Sequence, residues 1–356
     1  MHTLRKGFLL GMTFHLLVAA SGTVLADEEE MGAPPESIPS PWLVLPTLQS
    51  SPKLGTSVGA LGAYLKKFDM QSQLSMFGAA AQYTSTDSRV ASVFARTSFG
   101  ADHHRISVVA VGGTIKNDYD NFLGTGQPLK SEDHLRALVA RYLYRVEDDW
   151  FIGTQFISTH YQVEGQTSLD SDILGLLGLT GFNAGGMGVV AQHDSRDRQD
   201  SPTRGWVLDF NNIAYRRGHD FDVYRGDYRG FWSHGDGHVL AVQQSNQWTV
   251  DAPPSAYAPV VLRGYTVGEF LGKSMSSIEV EERHRLAARW TTTLFAGLAC
   301  LYGGEKSCGE SANTFPSLGA GLQYILKPEQ GIVANLEYAQ GKDGNRAVLF
   351  KMGYGW

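Results

Sequence analysis

Apolar residues recur at every second position along most of this chain, in segments of about ten residues broken by glycine, proline and acidic turns. Successive side chains of a strand point to opposite faces, so this period of two predicts strands with one apolar face. In "LRALVARYLYRV", Leu138, Ala140, Tyr142, Tyr144 and Val146 share one face, and Arg141, Leu143 and Arg145 the other. In "DFDVYRGDYRGFWSH", Tyr224, Tyr228 and Trp232 oppose Arg225, Asp227 and Arg229. At the end of the chain, in "RAVLFKMGYGW", Val348, Phe350, Met352, Tyr354 and Trp356 oppose Leu349, Lys351, Gly353 and Gly355.

Sixteen such strands are predicted, over residues 42–49, 54–65, 71–83, 89–100, 104–115, 134–146, 150–163, 184–193, 205–216, 220–234, 238–250, 275–287, 289–302, 314–326, 331–340 and 346–356. The connections at about 116–133, 164–183, 251–274 and 303–313 follow odd-numbered strands and are long. Those after even-numbered strands are mostly short, such as "EDD" at 147–149 and "KPEQ" at 327–330. A soluble sandwich also alternates, but not over so many long strands with aromatics clustered at their ends. An even strand count, one greasy face, charge on the other face and this loop asymmetry predict an all-β fold. The fold is a sixteen-stranded antiparallel transmembrane β-barrel of the outer membrane, with lipid outside and a wet interior.

Composition agrees: 41 glycines and 11% aromatics, with helical periodicity scarce. The N-terminus differs from the rest. Arg5 and Lys6 precede the apolar run "GFLLGMTFHLLVAASGTVLA", which ends in the small-residue pattern Val24-Leu25-Ala26 before an acidic stretch. This reads as a signal peptide over 1–26, cleaved after Ala26. It implies export, with a short periplasmic tail over 27–41 and the barrel over 42–356. Loss of Arg5 and Lys6 takes the formal charge from −6 to −8, which argues against nucleic acid as a partner. The two cysteines, Cys300 and Cys308, flank one glycine-rich turn and are a disulfide candidate in an exported chain.

One loop is out of character. "VVLRGYTVGEF", residues 260–270, carries an arginine, a glycine and an aromatic in a row after three apolar residues, in a proline-bounded connection. A solvated loop has no need of such a group. Here the sequence resembles the bacterial surface antigen superfamily, which includes BamA, TamA and the two-partner-secretion transporters. In that family an Arg-Gly-aromatic signature in the sixth outer loop folds back into the lumen and meets acids on the barrel wall. Arg263, Gly264 and Tyr265 match it. "HDSRDRQDSPTRGW" resembles the family's turn between strands eight and nine, through Asp194, Arg196, Asp197, Pro202 and Gly205. "EVEERHRL" resembles its Glu-x-Arg strand, through Glu281 and Arg283.

The resemblance implies that Arg263 meets Glu281, with Glu279 as second partner on the same face. A buried arginine without a carboxylate would be costly. Glu282 then points to lipid, which requires a bulge or a position near the interface. The aromatic C-terminal strand, through Phe350, Met352, Tyr354 and Trp356, would close the barrel and serve as the signal read by the outer-membrane assembly machinery. Two departures limit the likeness. Residues 27–41 leave no room for the POTRA domains that usually precede such barrels. The family's thirteenth strand often supplies an aspartate to the loop arginine, and "TLFAGLACLY" has none.

No catalytic, metal or cofactor constellation is expected. His103-His104 are neighbours on opposite faces, His193-Asp194-Ser195 are consecutive, and "GTGQ" at 124–127 is not a phosphate cradle. The reading is a non-enzymatic barrel in contact with outer-membrane lipid that translocates or inserts a protein or lipid cargo. The alternatives are a passive porin-like channel for small polar solutes, and an anchor or translocator for a separately encoded partner such as a patatin-like lipase. Three plain structural roles stay open beside these: Arg263 pinning a loop that plugs the pore, the 194–205 motif tying down a turn, and Glu281 with Arg283 as one pair in a lumen ladder.

Overall fold

The computed structural model describes residues 40–51, 55–119, 129–176, 180–198, 201–265, 270–328, 332–342 and 344–352. The signal peptide, nearly all of the 27–41 tail, the "GTGQ" stretch, Tyr354 and Trp356 lie outside them.

The strands are β1 (Trp42–Ser51), β2 (Gly55–Lys66), β3 (Ser75–Thr84), β4 (Arg89–Phe99), β5 (His104–Tyr119), β6 (Leu129–Glu147), β7 (Trp150–Gly165), β8 (Gly181–Asp194), β9 (Gly205–Arg217), β10 (Phe221–Ser233), β11 (His238–Val250), β12 (Ala258–Pro259), β13 (Leu271–Gly272), β14 (Ser274–Arg285), β15 (Trp290–Tyr302), β16 (Thr314–Lys327), β17 (Ile332–Gly341) and β18 (Arg346–Met352). Sixteen of them pair antiparallel with their neighbours into one closed barrel. β12 and β13 form a separate two-stranded ribbon in the loop between β11 and β14. The sixteen barrel strands are those predicted from the alternation.

The pleat sorts the side chains as expected. Leu138, Tyr142, Tyr144 and Val146 of β6 are exposed on the outer wall, while Leu135, Ala137 and Leu143 are buried inside. Tyr224 and Trp232 of β10 lie outside with Phe210, Leu294, Leu318 and Val348 of other strands. Such an apolar outer belt has no use in water and suits a hydrocarbon slab.

Several boundaries moved, each for a local reason. β3 begins at Ser75 rather than at 71, because Asp69 accepts the Ser72 backbone N–H and hydroxyl, both at 2.7 Å, and closes a turn. The 116–133 connection is largely strand: β5 and β6 stay paired from His104–Tyr144 up to Tyr119–Leu129. The 164–183 connection holds a helix that alternation did not show, α1 (Ser168–Leu176), whose Leu174 is buried against Leu135, Tyr161 and Val163. His103 sits in the turn before β5, not on a strand.

The closure is uneven. Among the described residues β1 pairs with β18 only at Ser50 opposite Val348, whereas β1 and β2 pair at ten positions.

Candidate functional site

The β11–β14 loop folds inward. A single 3-10 turn at Pro254–Ala256 ends the outward run of the chain, and the β12–β13 ribbon brings the segment back. Val260 donates its backbone N–H to Phe270 at 3.0 Å, and Tyr265 closes a turn onto the Leu262 carbonyl at 3.2 Å. Val260, Leu262 and Tyr265 are buried against Met275, Ala299, Leu301 and Phe315 of the wall. That contact answers why a loop carries apolar residues before its arginine: they seat it.

The seat is made of glycines. A Cβ on Gly297 would come 2.6 Å from Leu262, and one on Gly341 would come 2.5 Å from the Tyr265 ring. Gly264 lies at φ +96°, where a side chain is strained, and its own missing Cβ faces the Gln340–Gly341 backbone at 3.1–3.2 Å. Tyr265 donates its hydroxyl to the Pro316 carbonyl at 2.6 Å and accepts the Lys342 N–H at 2.8 Å. The Ser317 hydroxyl donates to the Arg263 carbonyl.

Seated so, Arg263 reaches β14. Its Nε donates to Glu279 at 2.8 Å and its Nη1 to Glu281 Oε2 at 2.6 Å. Glu337 of β17 stands 3.4 Å from Nη1. The guanidinium lies over the Phe295 ring, 3.4 Å from its centroid. Arg263, Glu281 and Glu337 are all buried. The two predicted partners are thus both partners. Phe295 and Glu337 were not foreseen. Phe295 belongs to the strand where an aspartate was missing, and there a π face takes up the cation. Glu337 was legible only as an inward-parity acid among small and apolar residues.

Glu281 uses its other oxygen for Arg283, whose Nε donates at 2.6 Å. Arg283 Nη1 in turn donates to the Pro202 carbonyl at 3.1 Å. Pro202 belongs to the β8–β9 connection at the opposite, short-turn end. The outer loop and that turn are therefore joined through one wall strand: Arg263 to Glu281, Glu281 to Arg283, Arg283 to Pro202.

The turn itself is tightly tied. Asp194 accepts Arg196 Nε at 2.7 Å and Arg105 Nη1 at 2.8 Å. Arg105 and Arg145 converge on Asp102 at 2.7 and 2.5 Å. Asp197 accepts the Thr203 N–H at 2.9 Å, the Thr203 hydroxyl at 2.7 Å and the Arg204 N–H at 3.2 Å. Partial burial works to raise the Asp197 pKa, but these hydrogen bonds outweigh it and hold the carboxyl below its ordinary range. Gly205 lies at φ +91°, and a Cβ there would strike the Ser195 carbonyl at 2.1 Å. Within "HDS", His193 stacks on Trp206 with centroids 3.7 Å apart, while Asp194 is buried with its arginines. The three groups do not converge.

Glu282 faces outward near the short-turn end, and β11 and β14 stay in register through it, so no bulge is involved. His234 and His238 meet its carboxylate at 3.0 and 3.2 Å. Cys300 and Cys308 are bonded, with Cα atoms 5.4 Å apart, at the base of the β15–β16 loop. On β18, Val348 is exposed on the outer face and Phe350, two residues on, shares its parity. Met352 ends the strand, and the rest of that terminal signal is outside the described residues.

No family model matches this sequence, and no curated protein matches it. Solved structures do. BamA from Haemophilus ducreyi lacking POTRA domains 1–3 is similar with a TM-score of 0.56 and 12% identity, over 88% of this chain and 70% of that one. CdiB from Acinetobacter baumannii is similar with a TM-score of 0.59 and 10% identity, over 87% and 59%. CdiB from Escherichia coli is similar with a TM-score of 0.58 and 10% identity, over 90% and 63%. The chain spans about six-tenths of the length of the CdiB chains. At such identities the likeness establishes the barrel fold and nothing finer.

Proposed function

We propose that this chain is an outer-membrane barrel of the BamA/TamA type that passes or inserts a protein or lipid cargo at the outer membrane. The apolar outer belt and the barrel fold support the location. The loop network carries the functional reading. A passive pore does not need an arginine buried among three carboxylates and seated on a floor of glycines, because a solvated loop costs less to build. Among the described residues β1 and β18 pair at Ser50–Val348 alone, and this sparse seam supports lateral opening between them. No catalytic chemistry is part of the proposal.

The test is a Ser50→Cys, Val348→Cys pair that locks the seam under oxidation. The reading expects the host's assembly of other outer-membrane proteins, or its export of a dependent cargo, to stop when locked and resume on reduction. Normal assembly and export with the barrel fully cross-linked would refute lateral opening.

The passive-channel reading keeps one observation of its own. Arg141 and Arg225 face the lumen with Asp209, Gln155 and Gln247, a mixed polar lining at ordinary hydrogen-bond distances.

A further inference from the structure

Glu282 is out of place. It lies on the outer face of the barrel in a register row with Trp232, Leu240 and Leu294. Trp232 and Leu294 are exposed there as part of the apolar belt. A carboxylate in such a row needs a compensating cation. Among the described residues its ion-pair partners are two histidines, His234 and His238, and a neutral imidazole brings no charge.

The donors are already gathered. One nitrogen of His234, one of His238 and one Glu282 oxygen lie within 4.8 Å of one another. His234 presents Nε2 and His238 presents Nδ1 to the carboxylate. The other nitrogen of His238, Nε2, faces His284 Nδ1 at 3.0 Å. A metal-bound imidazole characteristically donates its second N–H to an acceptor that fixes its tautomer, and His284 stands where that acceptor belongs. Two histidines span a short turn, and the carboxylate with its supporting histidine comes from the adjacent strand.

We infer that His234, His238 and Glu282 form a binding site for a divalent transition-metal ion of the zinc class, with His284 as the positioning residue for His238. Two imidazoles, one carboxylate and an open position suit that ion, and not calcium or magnesium, which want more oxygen ligands. The ion supplies the positive charge that Glu282 lacks. It also clips the β10–β11 turn to β14 at the residue between Glu281 and Arg283. The strand segment that holds the inner network is thereby braced from outside. The inference stands on the barrel geometry and is independent of what the barrel transports.

The test uses the untagged full chain, refolded in detergent, titrated with Zn2+ against a chromophoric chelator. The expected result is one equivalent bound per chain. Glu282→Gln and a His234→Ala, His238→Ala double variant should lose the site, and His284→Ala should weaken it about 10- to 100-fold. Heat-modifiable gel migration identifies folded variants, and only those are titrated. If Glu282→Gln will not fold, the double variant decides. Absence of stoichiometric binding by the wild type would overturn the inference, as would equal binding by a folded double variant.

Discussion

Arg283, on the wall strand β14, donates to the carbonyl of Pro202, in the turn between β8 and β9, at 3.1 Å. A backbone carbonyl three residues before β9 is thus held by a residue 81 positions away. The same arginine holds Glu281, which holds Arg263. Two ends of the barrel meet in one carboxylate.

Glu281→Gln should therefore cost more than either arginine's single contact to it. Removing one member of a buried charged group typically costs about 3–5 kcal/mol, because the partners stay buried without it. Arg263→Ala and Arg283→Ala should be strongly non-additive, since they share Glu281. Thermal midpoints of heat-modifiable migration in the two singles and the double measure this. Additivity would show the two contacts to be independent.

Gly341→Ala should unseat the loop without touching any charge. The added methyl would meet the Tyr265 ring at 2.5 Å, on a rigid floor. Limited proteolysis of intact vesicles should then cut within residues 251–273 and should leave the wild type uncut there. Continued resistance would place the loop's anchorage elsewhere.

The Asp197 carboxyl titrates below its ordinary value in the folded chain, so its contribution to stability is full above that ordinary value. It is lost as pH falls through the lowered folded value. The wild-type thermal midpoint should drop on acidification from about pH 5 to about 2.5 by more than that of Asp197→Asn. Parallel curves would exclude Asp197 as a source of the acid sensitivity.

Most of the barrel was legible because a strand's period is two and the lipid face tolerates little polarity. The sixteen strands and the outward Tyr142–Tyr144 pair follow from parity, and the Arg263–Glu281 contact follows from the resemblance of the Arg-Gly-aromatic loop and the Glu-x-Arg strand. What failed was local. The helix α1 lies in a segment of only nine residues, with one buried leucine, too short for its period to show against the alternating background. Phe295 and Glu337 contact Arg263 from strands remote in sequence, and parity places a residue on a face without saying what stands opposite. His234, His238 and Glu282 were missed for the same reason: β10, β11 and β14 bring them together only once the register is known. The 194–205 motif resembles a family turn and is equally compatible with a plainly tied-down one; its bond to Arg283 on a remote strand has no signal in the sequence.

The central claim is that Arg263 holds an inward loop in place across the lumen. Single-channel conductance of the refolded barrel in a planar bilayer tests it directly, in wild type and Arg263→Ala. The account predicts a small, flickering wild-type conductance that rises sharply in the variant. A large, steady conductance that is the same in both would contradict it and leave the barrel a passive pore.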